Sequence, residues 1–160
     1  MSQQIDIVEY FIRLEQQHFR ELVSYIRALE TEYGSGVVDV IAEAKYELTH
    51  KQWAELAQSA EENDIATLLK LQWEGAGPLL QYQVVYHDSG EARLRVTKCF
   101  WADAFRELGA IDIGRALYCA DEFASASGFN RHIGLTRTKT LMEGDDYCDH
   151  CYLFRAWEES

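Results

Sequence analysis

Four thiols, two cations and a pair of acids are the groups in this sequence with chemistry to offer. The cysteines stand at 99, 119, 148 and 151. Cys99, Cys119 and Cys148 each fall at or near the end of an expected element. A free cysteine there is a small buried hydrophobe, a nucleophile once it becomes thiolate, or one arm of a three-thiol metal site. Cys148-Asp149-His150-Cys151 invites a zinc reading, but one C-x-x-C is half of a four-ligand set. On a regular strand Cys148 shares a face with His150 and Tyr152, and Cys151 points the other way with Asp149 and Leu153. That placement also argues against a Cys148–Cys151 disulfide.

Arg137 and Lys139 share a strand face with Leu135 and Leu141. They are either solvent-facing or a clamp for a carboxylate, which suits guanidinium geometry. Asp121 and Glu122 follow Cys119 on one helix. They are either solvated, or paired with Arg115 or Arg131. Cys119 and Asp121, two residues apart, lie on opposite flanks of that helix and need a bend to share a site. His18 lies on an apolar helical face and His87 in a turn, where neither is expected to react.

The elements that must position these groups change period midway. Helical spacing runs from Ile5 to about Tyr33, with Val8, Phe11, His18, Leu22, Tyr25 and Leu29 as the stripe. Gly34 stops it. A second helix over about 36–48 carries Val37, Val40, Ile41, Ala44 and Leu48. Thr49-His50-Lys51-Gln52 fits a capping box for a third, bringing Trp53, Leu56 and Ala57 inward. Asn63 caps a further helical stretch to Trp73. After Gly75-Ala76-Gly77-Pro78 the period becomes two. Tyr82, Val84 and Tyr86, then Ala92, Leu94 and Val96, make a hairpin around 87–90 that ends on Cys99. Helices follow over about 100–108 and 111–127, closed by Gly128. Strands over 133–142 and 148–155 flank a turn at Gly144, which can take positive φ. The expected class is α+β: a helical N-terminal half (1–76) and a β-β-α-α-β-β half (77–160) with one four-stranded antiparallel sheet, together a single domain.

The chain has 160 residues and a formal net charge of −12. That size buries roughly 70% of the unfolded surface, so no staple is required. Without a Lys/Arg run, nucleic acid and anionic membranes are poor partners. A small carboxylate remains open as substrate, because one arginine in a pocket outweighs distant charge. Met1 to Asp6 lacks the features of a signal peptide, and no apolar run approaches a membrane span. A cytoplasmic protein with reduced thiols is the expectation. A homo-oligomer stays open.

Four pieces in order carry a resemblance. They are Lys98-Cys99-Phe100-Trp101; Phe105-Arg106-Glu107-Leu108-Gly109; Leu117-Tyr118-Cys119-Ala120-Asp121; and the close Leu135 to Asp149, which contains Arg137-Thr138-Lys139-Thr140-Leu141, Gly144 and Cys148. Over about residues 90–155 they resemble the L-2-amino-thiazoline-4-carboxylic acid hydrolase family. Its pattern is a Cys after a strand, an E-L-G turn, a Cys-x-x-Asp helix and R-T-x-T-L-x-x-G-x-x-x-C-D-F. His150 stands where the family usually has Phe. The resemblance implies opening of a cyclic isothiourea to an N-carbamoyl-cysteine, in sulfur amino acid metabolism. On this reading Cys119 is the reactive thiol, of low pKa and fast to alkylate. Asp121 is the acid or base, and Arg137 or Lys139 holds the carboxylate. Cys99 and Cys148 are pocket walls or ligands, with Cys119, of a divalent metal. The alternative is a non-catalytic regulator that binds a small molecule or metal on the same scaffold.

Overall fold

The structure is a computed structural model that describes residues 6–155. Ile5, where the helical periodicity begins, lies outside them. Asp6 caps α1 (Ile7–Tyr33) by accepting from the amides of Val8 and Glu9. Gly34, at φ 90°, ends it. The buried side chains of α1 are Phe19 and Ile26, while Phe11, Tyr25, Leu29 and His18 face outward. The expected stripe is therefore rotated by about one position. Apolar residues surround this helix, and a partner decides the face: the Phe19 ring packs tilted against Phe100 and Phe105 and edge-on against Tyr118.

α2 runs unbroken over Gly36–Ser59. The capping box at Thr49 is not used, because the Thr49 hydroxyl is spent on Asp121 of a later helix. Val38 and Ala57 are its buried residues, whereas Val40 and Leu48 are exposed. Asp64, not Asn63, caps α3 (Ile65–Leu69), accepting from the Thr67 amide. A π-helical turn over Lys70–Glu74 continues α3 and buries Trp73.

The sheet has four antiparallel strands, as expected, and their order is β1-β2-β4-β3. These are β1 (Leu80–His87), β2 (Glu91–Cys99), β3 (Ile133–Thr136) and β4 (Cys148–Phe154). One face is buried: Ala92, Leu94 and Val96 of β2 lie opposite Tyr152, His150 and Cys148 of β4. The other face turns Arg93, Arg95 and Asp149 outward. Together with the helical N-terminal half this makes the chain α+β.

Between β2 and β3 run α4 (Phe100–Glu107), α5 (Ile111–Gly114), a π-helical turn (Arg115–Cys119) and α6 (Asp121–Phe129). Gly128 does not end α6. It is where α2 crosses: a Cβ there would stand 2.3 Å from the His50 carbonyl oxygen. β3 is shorter than expected, stopping at Thr136. Arg137 to Thr140 are irregular, and a 3-10 turn covers Leu141–Glu143 before Gly144 at φ 99°. Asp149 causes the break by capturing the amides of Thr138 and Lys139 and the Thr138 hydroxyl, which satisfies backbone that would otherwise need a strand partner. Arg137 and Lys139 therefore leave the ladder and share no strand face.

Candidate functional site

Two hydrophobic clusters meet where the thiols lie. One joins the sheet to α3 and α6; the other joins α1, α4 and α5. Cys99 and Leu141 pack against both. At this seam opens a cavity of about 300 Å³, walled by Trp73, Leu80, Trp101, Tyr118 and Met142, with Gln72, Cys99, Cys119, Asp121 and Glu122. Beneath it lies a chamber of about 30 Å³, lined by Cys99, Cys119, Cys148, Thr140, Glu122, Arg137 and His150 among others. The two share Trp73, Leu80, Cys99, Cys119, Glu122 and Met142 as walls.

The π-helical turn supplies the bend that Cys119 requires. Its extra residue per turn, closed by the Ala120 amide on the Arg115 carbonyl, reorients the side chains that follow. Cys119 and Glu122 then line the chamber. Asp121 faces α2, where Lys45 pairs with it and Thr49 donates to it at 3.1 Å. Burial pushes the Asp121 carboxyl up, and Lys45 and Thr49 offset only part of that push. Asp121 thus sits in the wall of the outer cavity and is already paired.

Glu122 is the carboxylate of the chamber. Its Oε2 accepts from the Arg137 guanidinium and from His150 Nε2, the latter at 2.8 Å. Burial alone would raise its pKa, but His150 and Arg137 outweigh burial and hold it below the usual range. Arg137 also donates to the Cys119 carbonyl at 3.1 Å and lies over the Phe123 ring. Only 9% of its side chain is exposed. Its charge is paired inside the protein, and with Arg115 and Lys139 it also lines a separate cavity of about 360 Å³. Lys139 is exposed, with its ammonium over the Tyr147 ring at 4.7 Å. It lines neither the outer cavity nor the chamber.

All four cysteines are free. The Thr140 hydroxyl lies 3.9 Å from both Cys119 Sγ and Cys148 Sγ. Burial pushes Cys99 up to about 12 and Cys119 up to about 11, and Cys148 is raised as well. These are neutral thiols near pH 7, contrary to the low-pKa thiol expected of Cys119. The thiols surround a chamber instead of converging on one point. Among the described residues no group of three or more His, Cys, Asp or Glu side chains is placed to hold a metal ion. Cys151 lies on the other sheet face, its thiol toward Glu91.

Sequence reasoning missed Glu122 and His150. Two signals were present. His150 shares the inward face with Cys148 and Tyr152. Three residues on from Cys119, the spacing of Cys-x-x-Asp, stands Glu122 and not Asp121.

The fold is shared with two solved structures. One is the phenol-responsive sensory domain of the transcription activator PoxR with phenol, at 13% identity and TM-score 0.56, covering 87% of this chain and 76% of that one. The other is trafficking protein particle complex subunit 3 from Naegleria fowleri, covalently bound to palmitic acid. It stands at 10% identity and TM-score 0.54, covering 95% of this chain and 99% of that one. No curated protein matches the sequence. The model of the L-2-amino-thiazoline-4-carboxylic acid hydrolase family matches residues 13–152, which carry every element of the cavity described above, and the chain belongs to that family.

Proposed function

We propose that the chain is a hydrolase that opens the ring of L-2-amino-thiazoline-4-carboxylate or a close cyclic isothiourea, giving an N-carbamoyl-cysteine. The observation that carries this is Glu122: a carboxylate held below its usual pKa range in the wall of a largely apolar, aromatic cavity whose other carboxylate, Asp121, is already paired with Lys45. An amidine-type ring is basic, and a carboxylate is its natural partner. Both protein contacts use Oε2, which leaves Oε1 for the ring nitrogens. Trp73, Trp101 and Tyr118 enclose the ring and exclude water. The substrate's own carboxylate is placed toward the Asp121 wall, where Lys45 is the paired cation. This gives Arg137 a new role. It keeps Glu122 charged and in place, while Asp121 and Lys139 leave the chemistry.

The test is incubation with L-2-amino-thiazoline-4-carboxylate and mass-spectrometric detection of N-carbamoyl-cysteine. Glu122→Gln should abolish product, and Cys119→Ser should retain it if water is the attacking group. Loss of activity in Cys119→Ser, with a trapped thiol adduct, would instead make Cys119 the nucleophile.

The apolar cavity lining favours a second reading, a regulator that binds a small aromatic or aliphatic molecule. The phenol and palmitic acid of the two structural relatives are in keeping with it. No turnover, together with thermal stabilisation by a neutral aromatic, would select this reading.

A further inference from the structure

His150 is buried, with 1% of its side chain exposed. Its Nε2 lies 2.8 Å from Glu122 Oε2. The Arg137 guanidinium, which only donates, lies farther from the same nitrogen at 3.4 Å; the shorter contact is to a carboxylate oxygen, which only accepts, and it places the proton on Nε2. In the neutral ring Nδ1 is then a bare lone pair, and it is buried with no hydrogen-bond partner in the protein. An orphaned buried nitrogen is unfavourable unless something fills the gap. Trp73 stands edge-on to the same ring at 4.8 Å and fixes its plane. The chamber that His150 lines has a volume of about 30 Å³, and roughly 10–15 Å³ is enough for one water. Glu122 and the Thr140 hydroxyl, also in its wall, supply further polar partners.

We propose that in this chain, where His150 replaces the Phe usual in the family, His150 is the general base of the ring opening, acting on a single water held in the chamber beneath the substrate. This rests on the hydrolase reading and adds its base. Glu122 holds the protonated ring of the substrate and, through Nε2, the tautomer of His150. Nδ1 takes a proton as the water oxygen bonds to the carbon between nitrogen and sulfur. The C=N electron pair moves to the ring nitrogen, which already bears its proton. The carbonyl then forms, the C–S bond breaks with its pair on sulfur, and His150 returns its proton to that sulfur. The hydroxyl proton, equal to the one the substrate brought, leaves to solvent. The charged and titratable groups around His150 are Glu122 of α6, Arg137 after β3, Cys99 of β2, Cys119 of the π-helical turn, and Cys148 and Tyr152 of β4. Burial raises all three thiols and the phenol, so none of these four offers a ready base.

The experiment is steady-state kinetics from pH 5 to 9 on the full chain and on His150→Gln and His150→Asn. Imidazole-nitrogen NMR of the wild type accompanies it. The wild type should show kcat rising through one ionisation. His150→Gln should lose about 100-fold or more in kcat, with KM changed little and the pH limb gone. NMR should show the Nε2–H tautomer with Nδ1 bare. A wild type that turns over while both variants keep more than a tenth of kcat and the pH limb overturns this base alone. So does an Nδ1–H tautomer, whether or not the variants fold. A wild type with no turnover overturns the hydrolase reading and the base with it.

Discussion

Glu122 and Asp121 are chain neighbours with opposite electrostatics, and the difference has a measurable sign. Glu122 is held below its unfolded value of about 4.3 by His150 and Arg137 against the pull of burial. The folded state therefore binds the Glu122 proton more weakly than the unfolded state does. That stabilisation is complete above the unfolded pKa and is lost as pH falls through the lower, folded one. Asp121, pushed up by burial, works the other way and costs stability at neutral pH. Urea midpoints of wild type and Glu122→Gln should differ at pH 7, with the wild type more stable, and should approach each other near pH 3. Arg137→Ala leaves the half-buried Glu122 with one partner fewer and should destabilise the fold by about 1–3 kcal/mol. A fold left intact, with only weaker substrate binding, would restore Arg137 as a clamp. Cys119, at about 11, exposes about one thiolate in ten thousand at pH 7. Iodoacetamide should label it slowly and about tenfold faster for each pH unit up to 10. Rapid labelling at pH 7 would show the thiol activated after all.

At the scale of elements, the strands were legible and the helix faces were not. Alternation in 92–96 names the buried side of β2 directly, because period two leaves one choice of face. α1 is apolar on most sides, so its own sequence does not say that Phe19 and Ile26 face in; the aromatic cluster of α4 and the π-helical turn decides that. The turn that carries Cys119 was hidden for a related reason: a π-helical insertion leaves no mark in a list of residue types. The end of β3 is set by Asp149, twelve residues beyond Arg137, and no local pattern around Arg137 reveals it. Gly128 was read as a helix stop because glycine often is one. Its actual work is the close approach of α2 to α6, beside the Tyr46–Ser127 contact. Gly128→Ala puts a methyl against fixed backbone and should cost about 1–3 kcal/mol by overpacking. Denaturant titration measures this, and an unchanged midpoint would show that the two helices slide apart freely.

Across the whole molecule, the site falls on the seam between two apolar clusters. Cys148 belongs to the sheet cluster and Met142 to the helical one, and the cavity borders both. No helix among the described residues is long and apolar enough to cross a membrane. We propose that the described residues, 6–155, fold as one domain, because neither cluster closes alone: Cys99 and Leu141 pack on both, and α2, from the helical half, crosses α6 at Gly128. One cooperative unfolding transition is then the expected outcome. Trp73 sits in the sheet cluster and Trp101 packs on the helical one, so each reports on one side. Fluorescence of Trp73→Phe and Trp101→Phe variants and far-UV circular dichroism should give coincident urea transitions. A ligand in the cavity touches both clusters. It should raise the single midpoint by RT ln(1 + [L]/Kd), about 2.7 kcal/mol at a hundredfold excess over Kd. Two separated transitions, with ligand shifting only one, would mean that the helical and sheet parts are independent units and that the cavity belongs to one of them.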